Sequence, residues 1–271
     1  MDEKRIHNLQ YQGYIETPSI FTTKNNPFEQ ELFHLPITSG IPDFTISKTL
    51  MLGKRVEVFF QSELKATKTF DICFENIQVQ KERRTIGELD IIIQDTNSKK
   101  ITHVEIAYKF YLYDPNIKGN NIDKWIGPNR NDNLSKKINK LSSHQFPLLF
   151  KQETKDKINL DMSTISQAIL FKAQLFIPLS LEHDLFPEIN ENAICGYYVS
   201  FEEFKTNPFT DSEFYIPSKQ NWLCNPKTNE NWYLFPEIIE ELQSLMLQKK
   251  APLIWRKNEE NETHKLFITW W

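Results

Sequence analysis

The strongest constraint on the fold comes from two runs of β-branched residues joined by a short polar segment. GELDIIIQD occupies 87–95 and THVEIAYKF occupies 102–110, with DTNSKK between the apolar stretches. Runs of this composition around such a segment predict an antiparallel hairpin. The preceding segment, from Phe70, alternates apolar and polar residues and predicts a third strand, with a bulge. We therefore expect a meander of three antiparallel strands.

Helices are predicted on both sides of this meander. Apolar residues recur at helical spacing over 48–64 and again from Asn133 to Pro147. Residues 163–176 also suit a helix that begins at Ser163 or Thr164. The rest of the chain predicts a strand, a second strand, a helix with an early proline and a terminal hairpin, in that order, at 193–204, 213–223, 236–250 and 251–271. This order predicts an α/β fold, with helices covering a mixed sheet.

Composition limits the organisation of the chain and its partners. The 271 residues are 39% hydrophobic, which is enough to build a core. We expect one continuous domain with an N-terminal wrapping segment, a core and a C-terminal α/β extension, at 1–47, 48–205 and 206–271. No apolar run approaches the roughly 18 residues that span a bilayer, so a cytoplasmic protein without membrane contact is expected.

Charge and cysteine content exclude further classes. The net charge is −4, so only a local basic patch could attract DNA or RNA. The three cysteines lie far apart without C-x-x-C spacing, which argues against a disulfide framework or a zinc ribbon.

Acidic residues interrupt the predicted hairpin. Side chains alternate between the faces of a strand, so Glu88 and Asp90 share one face, as do Glu105 and Lys109. If the hairpin pairs Asp90 with Glu105, two carboxylates meet at one end of the sheet. Close carboxylates stay ionised only beside positive charge, and Mg²⁺ is commonly held by one or two carboxylates with water and phosphate oxygens. Alternatively, both cap a turn or pair with Lys109 or Arg84.

The helix at 48–64 could add a third carboxylate. Glu57 lies beside its apolar stripe and could reach the same end of the sheet. The three acids could hold Mg²⁺ or Mn²⁺, and with Lys109 nearby such a site could lower the pKa of a bound water and stabilise charge developing on a phosphodiester. The alternative for Glu57 is a place on the polar edge of its helix.

These residues resemble a known family. The strings GELDIIIQD, VEIAYKFYL, WIGPNRND and KLSSHQFPLL, in this order between about Leu52 and Leu149, are similar to those of a bacterial family called domain of unknown function 1853. That family is grouped with the PD-(D/E)XK nuclease superfamily. The order of a Glu-bearing helix, a strand, a G-E-x-D strand, a strand with Glu and Lys, and a helix is similar to the superfamily's core. The resemblance implies a restriction-endonuclease-like core over 48–205 and a magnesium-dependent hydrolase.

The resemblance also implies roles for the acidic residues. Asp90 corresponds to the first metal ligand and Glu105 to the acid of the second motif. Glu57 corresponds to the acid contributed by the first helix.

The chain departs from the superfamily pattern at the lysine. The E-x-K position is Ala107, and the lysine follows at Lys109. On a strand, this places the Cα of Lys109 roughly 13 Å from that of Glu105 instead of roughly 7 Å. A bulge near Ala107 would shorten that distance, or Lys137 on the following helix could replace the lysine.

Other residues could support the site or bind substrate, and they are Glu88, Lys137, Gln145, Trp125 and Arg130. Lys136, Lys137 and Lys140 could contact phosphates as a local basic patch, or form a solvated helix face. Trp125 beside Arg130 could stack on a base, or Trp125 could pin its loop to the core.

Three functions are compatible with these patterns. The first is a metal-dependent nuclease acting on DNA or RNA. The second is a catalytically inactive relative that binds nucleic acid or protein, as the alanine at 107 and the acidic net charge suggest. The third is a scaffold that binds a partner through the aromatic C-terminal part.

Overall fold

The computed structural model describes residues 3–35, 40–181, 185–206, 209 and 211–271. In chain order its elements are α1 (Glu3–Glu16), β1 (Glu31–Leu32), α2 (Leu52–Thr67), β2 (Phe70–Lys81), β3 (Arg84–Asp95), β4 (Ile101–Tyr113), α3 (Asn121–Lys124), β5 (Trp125–Ile126), α4 (Leu134–Lys140), a π-helical turn (Leu141–Gln145), α5 (Phe146–Leu148), α6 (Gln152–Lys155), β6 (Ser166–Pro178), β7 (Ile194–Ser200), α7 (Phe201–Thr206), β8 (Glu213–Tyr215), β9 (Tyr233–Leu234), α8 (Phe235–Leu247), β10 (Leu253–Lys257) and β11 (Thr263–Thr269).

The chain forms two units. The first comprises Met1–Ile20, Lys109–Leu134 and Ala173–Trp271, and the second comprises Phe21–Tyr108 and Ser135–Lys172. Strands β4 and β6 contribute residues to both. The division predicted at 47 and 205 stays a prediction.

The second unit contains the meander. β2 pairs with β3 and β3 pairs with β4, both antiparallel, and the β2–β3 register shifts between Ile72 and Phe74 and again between Val79 and Gln80. The predicted three-stranded meander and its bulge are therefore confirmed. One face of β2 and β3 packs against the segment that follows α5, in a core that includes Val79, Leu89 and Leu149.

Helix α2 is amphipathic as its sequence predicts. Val56, Phe59, Phe60 and Leu64 recur at helical spacing and are buried, while Glu57 lies at the edge of this stripe. The helix packs against β2, so its polar edge is held close to the meander. Each fully buried aromatic ring of α2 stabilises this packing by about 2–3 kcal/mol.

The helix predicted over 163–176 is wrong, because β6 occupies this segment. The run QAILFKAQLF is buried along nearly its whole length, and a strand covered on both faces reads as a continuous apolar run without the alternation of a half-exposed strand. β6 pairs in parallel with β1 in the second unit and with β7 in the first.

The first unit contains a mixed sheet in the order β6-β7-β11-β10-β8-β9. β6, β7 and β11 are mutually parallel, and the predicted terminal hairpin, β10 with β11, is confirmed. The strand predicted over 213–223 is shorter, since β8 ends at Tyr215 and Lys219–Leu223 is a 3₁₀ helix. Pro217 lacks the N–H that a longer strand would need.

These elements confirm a mixed α/β fold. The three cysteines are free, as expected from their spacing. Within the residues described, no helix has the length and apolar character needed to cross a bilayer.

A glycine in the parallel sheet gives a test of this packing. A Cβ on Gly196 would lie 2.4 Å from the backbone oxygen of Lys265 and 2.8 Å from Cε1 of Phe176. We expect Gly196→Ala to lower the free energy of unfolding by about 2–3 kcal/mol. The matched control is Gly53→Ala in α2, where no atom lies within 4 Å of the added Cβ; it should be neutral or stabilising by up to about 1 kcal/mol. Urea denaturation measures both, and equal midpoints would contradict the β7–β11 pairing.

Candidate functional site

Asp90 and Glu105 lie where β3 and β4 separate. The two strands pair from Gln94 with Ile101 as far as Ile91 with Val104, and the same register would place Asp90 opposite Glu105. The paired residues end there, and the Asp90 side chain instead accepts a hydrogen bond at Oδ2 from the backbone N–H of Ile106, at 2.8 Å. Both carboxylates therefore lie in the fork between the strands, in the second unit.

The Asp90 carboxyl group is in an environment that disfavours its charge. Burial raises the pKa of Asp90 to about 8, and the negative charges of Glu105 and Glu57 add to that rise. The N–H of Ile106 and the ammonium of Lys137 act in the opposite direction but do not cancel it. Asp90 is therefore short of positive charge.

Glu105 is fully buried and only partly satisfied. Its Oε2 accepts a hydrogen bond from the side-chain amide of Gln145. Its Oε1 lies 3.1 Å from Nε2 of His103, yet neither atom has a hydrogen bond of acceptable geometry within the described chain. Because a buried carboxylate oxygen without a hydrogen bond is costly, Oε1 has capacity for a cation or a water.

The orientation of His103 is determined by Gln167 on β6. The Gln167 amide donates to Nδ1 of His103 at 3.1 Å and to the backbone oxygen of Phe146 at 2.9 Å. An Nδ1 that accepts leaves the ring proton of the neutral imidazole on Nε2, which faces Glu105. Gln167 thus orients His103 and also anchors the helix that carries Gln145.

The π-helical turn brings Lys137 and Gln145 together. Lys137 Nζ donates to Gln145 Oε1 at 3.0 Å. In a regular α-helix, residues eight apart differ in direction by about 80°, but one extra residue in a π turn reduces the difference to about 20°. Pro147 accounts for the irregularity, because its ring crowds the preceding turn and it has no N–H. Lys137 is thereby linked through Gln145 to Glu105.

Lys54 joins two further acids. Its Nζ donates to Glu57 Oε2 at 2.7 Å, to Glu88 Oε1 at 2.9 Å and to Asn76 Oδ1 at 3.1 Å. Burial raises the pKa of Glu57 against the opposing effect of Lys54, with further contributions from the charges of Glu88 and Glu105. Burial acts to lower the pKa of Lys54, but its hydrogen bonds to the two acids outweigh this and raise it.

We call Glu57, Glu88, Asp90 and Glu105 the acidic cluster. Among the residues that the structure describes, its four carboxylates face the two ammonium groups of Lys54 and Lys137, which leaves two negative charges uncompensated there when every carboxyl is ionised. In the described part of the chain, no three or more His, Cys, Asp or Glu side chains are arranged as a metal site. The oxygens that remain are those of two carboxylates, Asp90 and Glu105, and carboxylate oxygens are ligands that hard cations such as Mg²⁺ accept together with water and phosphate oxygens. It does not fit zinc.

A family model described as Domain of unknown function (DUF1853) matches residues 34–268, which include the whole acidic cluster. The chain belongs to the DUF1853 family. No curated protein and no solved structure matches it.

Three predicted site residues of this DUF1853 chain, Lys109, Trp125 and Arg130, lie in the first unit instead of the second. Lys109 Nζ is paired with Asp132 Oδ2 at 2.7 Å. Trp125 is fully buried against Tyr113 and Phe186, so its ring is not exposed for stacking. Arg130 pairs with Asp114 and packs on Trp271. Asp90, Glu105, Glu57, Glu88, Lys137 and Gln145 are all in the second unit.

Three residues of this DUF1853 site were not among the candidates. Lys54 could have been found, since it precedes Glu57 by three residues on the same helix face. His103 precedes Glu105 by two on a strand and shares its face. No local pattern indicates Gln167, because the apolar run around it suits a helix as well as a strand.

Proposed function

We propose that this chain is a metal-dependent phosphodiesterase that cleaves nucleic acid, DNA or RNA, with Mg²⁺ or Mn²⁺. We also propose that α2, the meander and α4 form a restriction-endonuclease-like core of the PD-(D/E)XK superfamily. The observation that supports the activity most directly is the fork between β3 and β4. There, a buried Glu105 with an unsatisfied oxygen lies beside Asp90, where burial and the charges of Glu105 and Glu57 outweigh the positive charge of Lys137.

In this mechanism, Asp90 and Glu105 hold the cation. When bound, it supplies a polarised water and neutralises charge on the phosphodiester. Gln145 holds the Glu105 carboxylate through Oε2 and leaves Oε1 available to the cation. Lys137 provides a positive charge beside Asp90, where it can stabilise charge on a phosphate oxygen.

Lys54 has a supporting role in this proposal. By pairing with Glu57 and Glu88 it compensates charge at the edge of the cluster, so Asp90 and Glu105 remain the carboxylates available to a cation. The basic face of α4 extends the positive charge of Lys137 and gives a strand of nucleic acid a place to bind despite the net charge of −4.

One observation favours a second candidate, a catalytically inactive nucleic-acid-binding or protein-binding module. The usual lysine position is Ala107, and the lysine that follows on the strand is held by Asp132. In that case the fork would retain carboxylates without cleaving phosphodiesters.

Metal binding and cleavage measured on the same variants test the proposal. We expect the wild type to bind Mn²⁺ by calorimetry and to cleave DNA or RNA only when Mg²⁺ or Mn²⁺ is present. Asp90→Asn and Glu105→Gln keep the shape of each side chain, and both should lose cation binding and reduce cleavage to background.

The matched control is Glu75→Ala, an exposed acid on β2 of the same meander, which should leave both readouts unchanged. A wild type that binds Mn²⁺ and DNA but cleaves nothing would favour the inactive module. Equal cleavage by wild type, Asp90→Asn and Glu105→Gln would refute the site.

A further inference from the structure

The first unit contains a cavity of about 660 Å³ at the ends of its parallel strands. The last residues of β6, β7 and β11, which are Pro178, Ser200 and Thr269, all line it. Asp114, the first residue after β4, lines it as well. In open α/β sheets, ligands bind in the crevice beyond the carboxyl ends of parallel strands, and small-molecule sites commonly have this volume.

Arg130 is held in this cavity by groups that leave most of its donors unused. Its Nη1 donates to Asp114 Oδ2 at 2.9 Å, and its guanidinium lies 4.4 Å from the centre of the Trp271 ring. A guanidinium has five N–H donors, and in the described part of the chain only this one is used. The plane of the Arg130 guanidinium is therefore fixed. A pair of its adjacent N–H donors is available to a ligand.

The backbone at Arg130 is also unusual. Its φ is +59°, in the left-handed region that side-chain-bearing residues rarely adopt. The conformation is held by a hydrogen bond from Arg130 N to the Gly127 oxygen at 2.7 Å. Six other described residues with side chains have a positive φ, so this conformation shows that the loop makes a defined turn at Arg130 and is not itself a sign of a ligand.

The same cavity is lined by a carboxylate, that of Glu203, which accepts hydrogen bonds where the guanidinium donates them. Glu203 Oε2 accepts from the backbone N–H and the hydroxyl of Ser200, both at 2.8 Å. Its Oε1 has no hydrogen bond within the described residues. Leu179, Val199 and Trp271 provide apolar walls between these polar groups.

We propose that this cavity binds a guanine base. Guanine presents two adjacent acceptors, O6 and N7, which match the planar fork of an arginine. Its N1–H and N2–H₂ donors match a carboxylate such as Glu203. Adenine has a donor in place of O6 and is disfavoured by the arginine. A phosphate alone is disfavoured because Asp114 and Glu203 outnumber the single guanidinium.

Calorimetry with the full chain in EDTA tests this cavity separately from the metal site. Guanosine should bind saturably, adenosine at least about tenfold more weakly, and inorganic phosphate not detectably, since one bidentate arginine contact discriminates by about this factor or more. Asp90→Asn should bind guanosine like the wild type.

A strand of thymidines with one guanine identifies the source of the base. Tighter binding than that of guanosine indicates an unpaired base in a strand, and equal or weaker binding indicates a free nucleoside.

Two substitutions locate the binding. Arg130→Lys keeps the charge but not the fork, and should weaken guanosine binding at least about tenfold. Glu203→Gln keeps an acceptor for Ser200 and should weaken it by a similar factor. The matched control is Arg256→Lys, an arginine of the same unit that lies 4.7 Å over the Phe209 ring outside this cavity, and it should bind as the wild type does. The proposal is overturned if guanosine does not bind up to millimolar concentration, if adenosine binds equally well, or if the folded Arg130→Lys and Glu203→Gln variants both bind like the wild type.

Discussion

Replacing Lys137 with methionine is expected to lower the rate of Mg²⁺-dependent cleavage by about 10²- to 10³-fold, the loss typical of removing one electrostatic group from a catalytic site. Methionine keeps the unbranched chain but has no charge. The substitution removes the ammonium that acts on Asp90 and also the donor to Gln145. Initial rates at saturating Mg²⁺ and substrate measure the effect, and circular dichroism checks that the overall secondary structure is retained.

The matched control is Lys109→Met, which removes the lysine nearest to the usual strand position. Its ammonium is paired with Asp132, and both side chains are more than one-third exposed, so the loss costs at most about 1 kcal/mol of stability. Cleavage should change less than about threefold if the Lys109 ammonium stays paired with Asp132. The reverse result, with Lys109→Met inactive and Lys137→Met active, would exclude Lys137 as the replacement for the missing strand lysine.

Asp90→Asn is expected to stabilise the protein progressively as the pH rises towards the pKa of Asp90, about 8, while it abolishes cleavage. The pKa of Asp90 is about 8 in the folded chain, against 3.8 for an unperturbed aspartate. The folded state therefore binds more protons between these two values, and the wild-type free energy of unfolding falls as pH rises through this window. Even half of this shift corresponds to about 3 kcal/mol. Asparagine retains an acceptor for the Ile106 N–H and carries no charge, so it avoids the penalty.

Urea denaturation of both proteins in EDTA, from about pH 5 to about pH 8, measures the difference. The advantage of Asp90→Asn should grow with pH and should shrink when Mg²⁺ is added, since a bound cation favours the ionised carboxylate of the wild type. If the free energies of unfolding of the two proteins change with pH in the same way and do not respond to Mg²⁺, then ionisation of Asp90 carries no such penalty.

The part of the site that could be predicted from the sequence rests on local rules. Alternation along a strand puts Asp90 and Glu105 on definite faces, and the β-branched runs around a polar turn determine that the two strands pair. The helical stripe of α2 likewise places Glu57 at its edge. Each of these inferences needs only neighbouring residues, and the meander and α2 are confirmed.

The remaining parts depend on long-range packing. A run such as QAILFKAQLF suits either a buried helix or a buried strand, and only its neighbours in the sheet decide, so β6 and with it Gln167 were misassigned. The pairing of Lys109 with Asp132 depends on how the loop after β4 folds back. Pro147 indicates that the helix is irregular, but no local pattern shows that the irregularity is a π turn that gives Gln145 and Lys137 a common face.

Because of the π turn, the site depends on the number of residues between Lys137 and Gln145 as well as on the identity of these two residues. Lys137 and Gln145 share a direction because they are eight positions apart, one more than a regular helix needs for the same alignment. A homologue whose helix is regular would need the same pair seven residues apart to achieve the same contact. When two members of the family are aligned, a one-residue gap between the lysine and the glutamine can therefore accompany preserved geometry, if one helix has the π turn and the other is regular. If both helices have the π turn, the same gap would separate the two side chains.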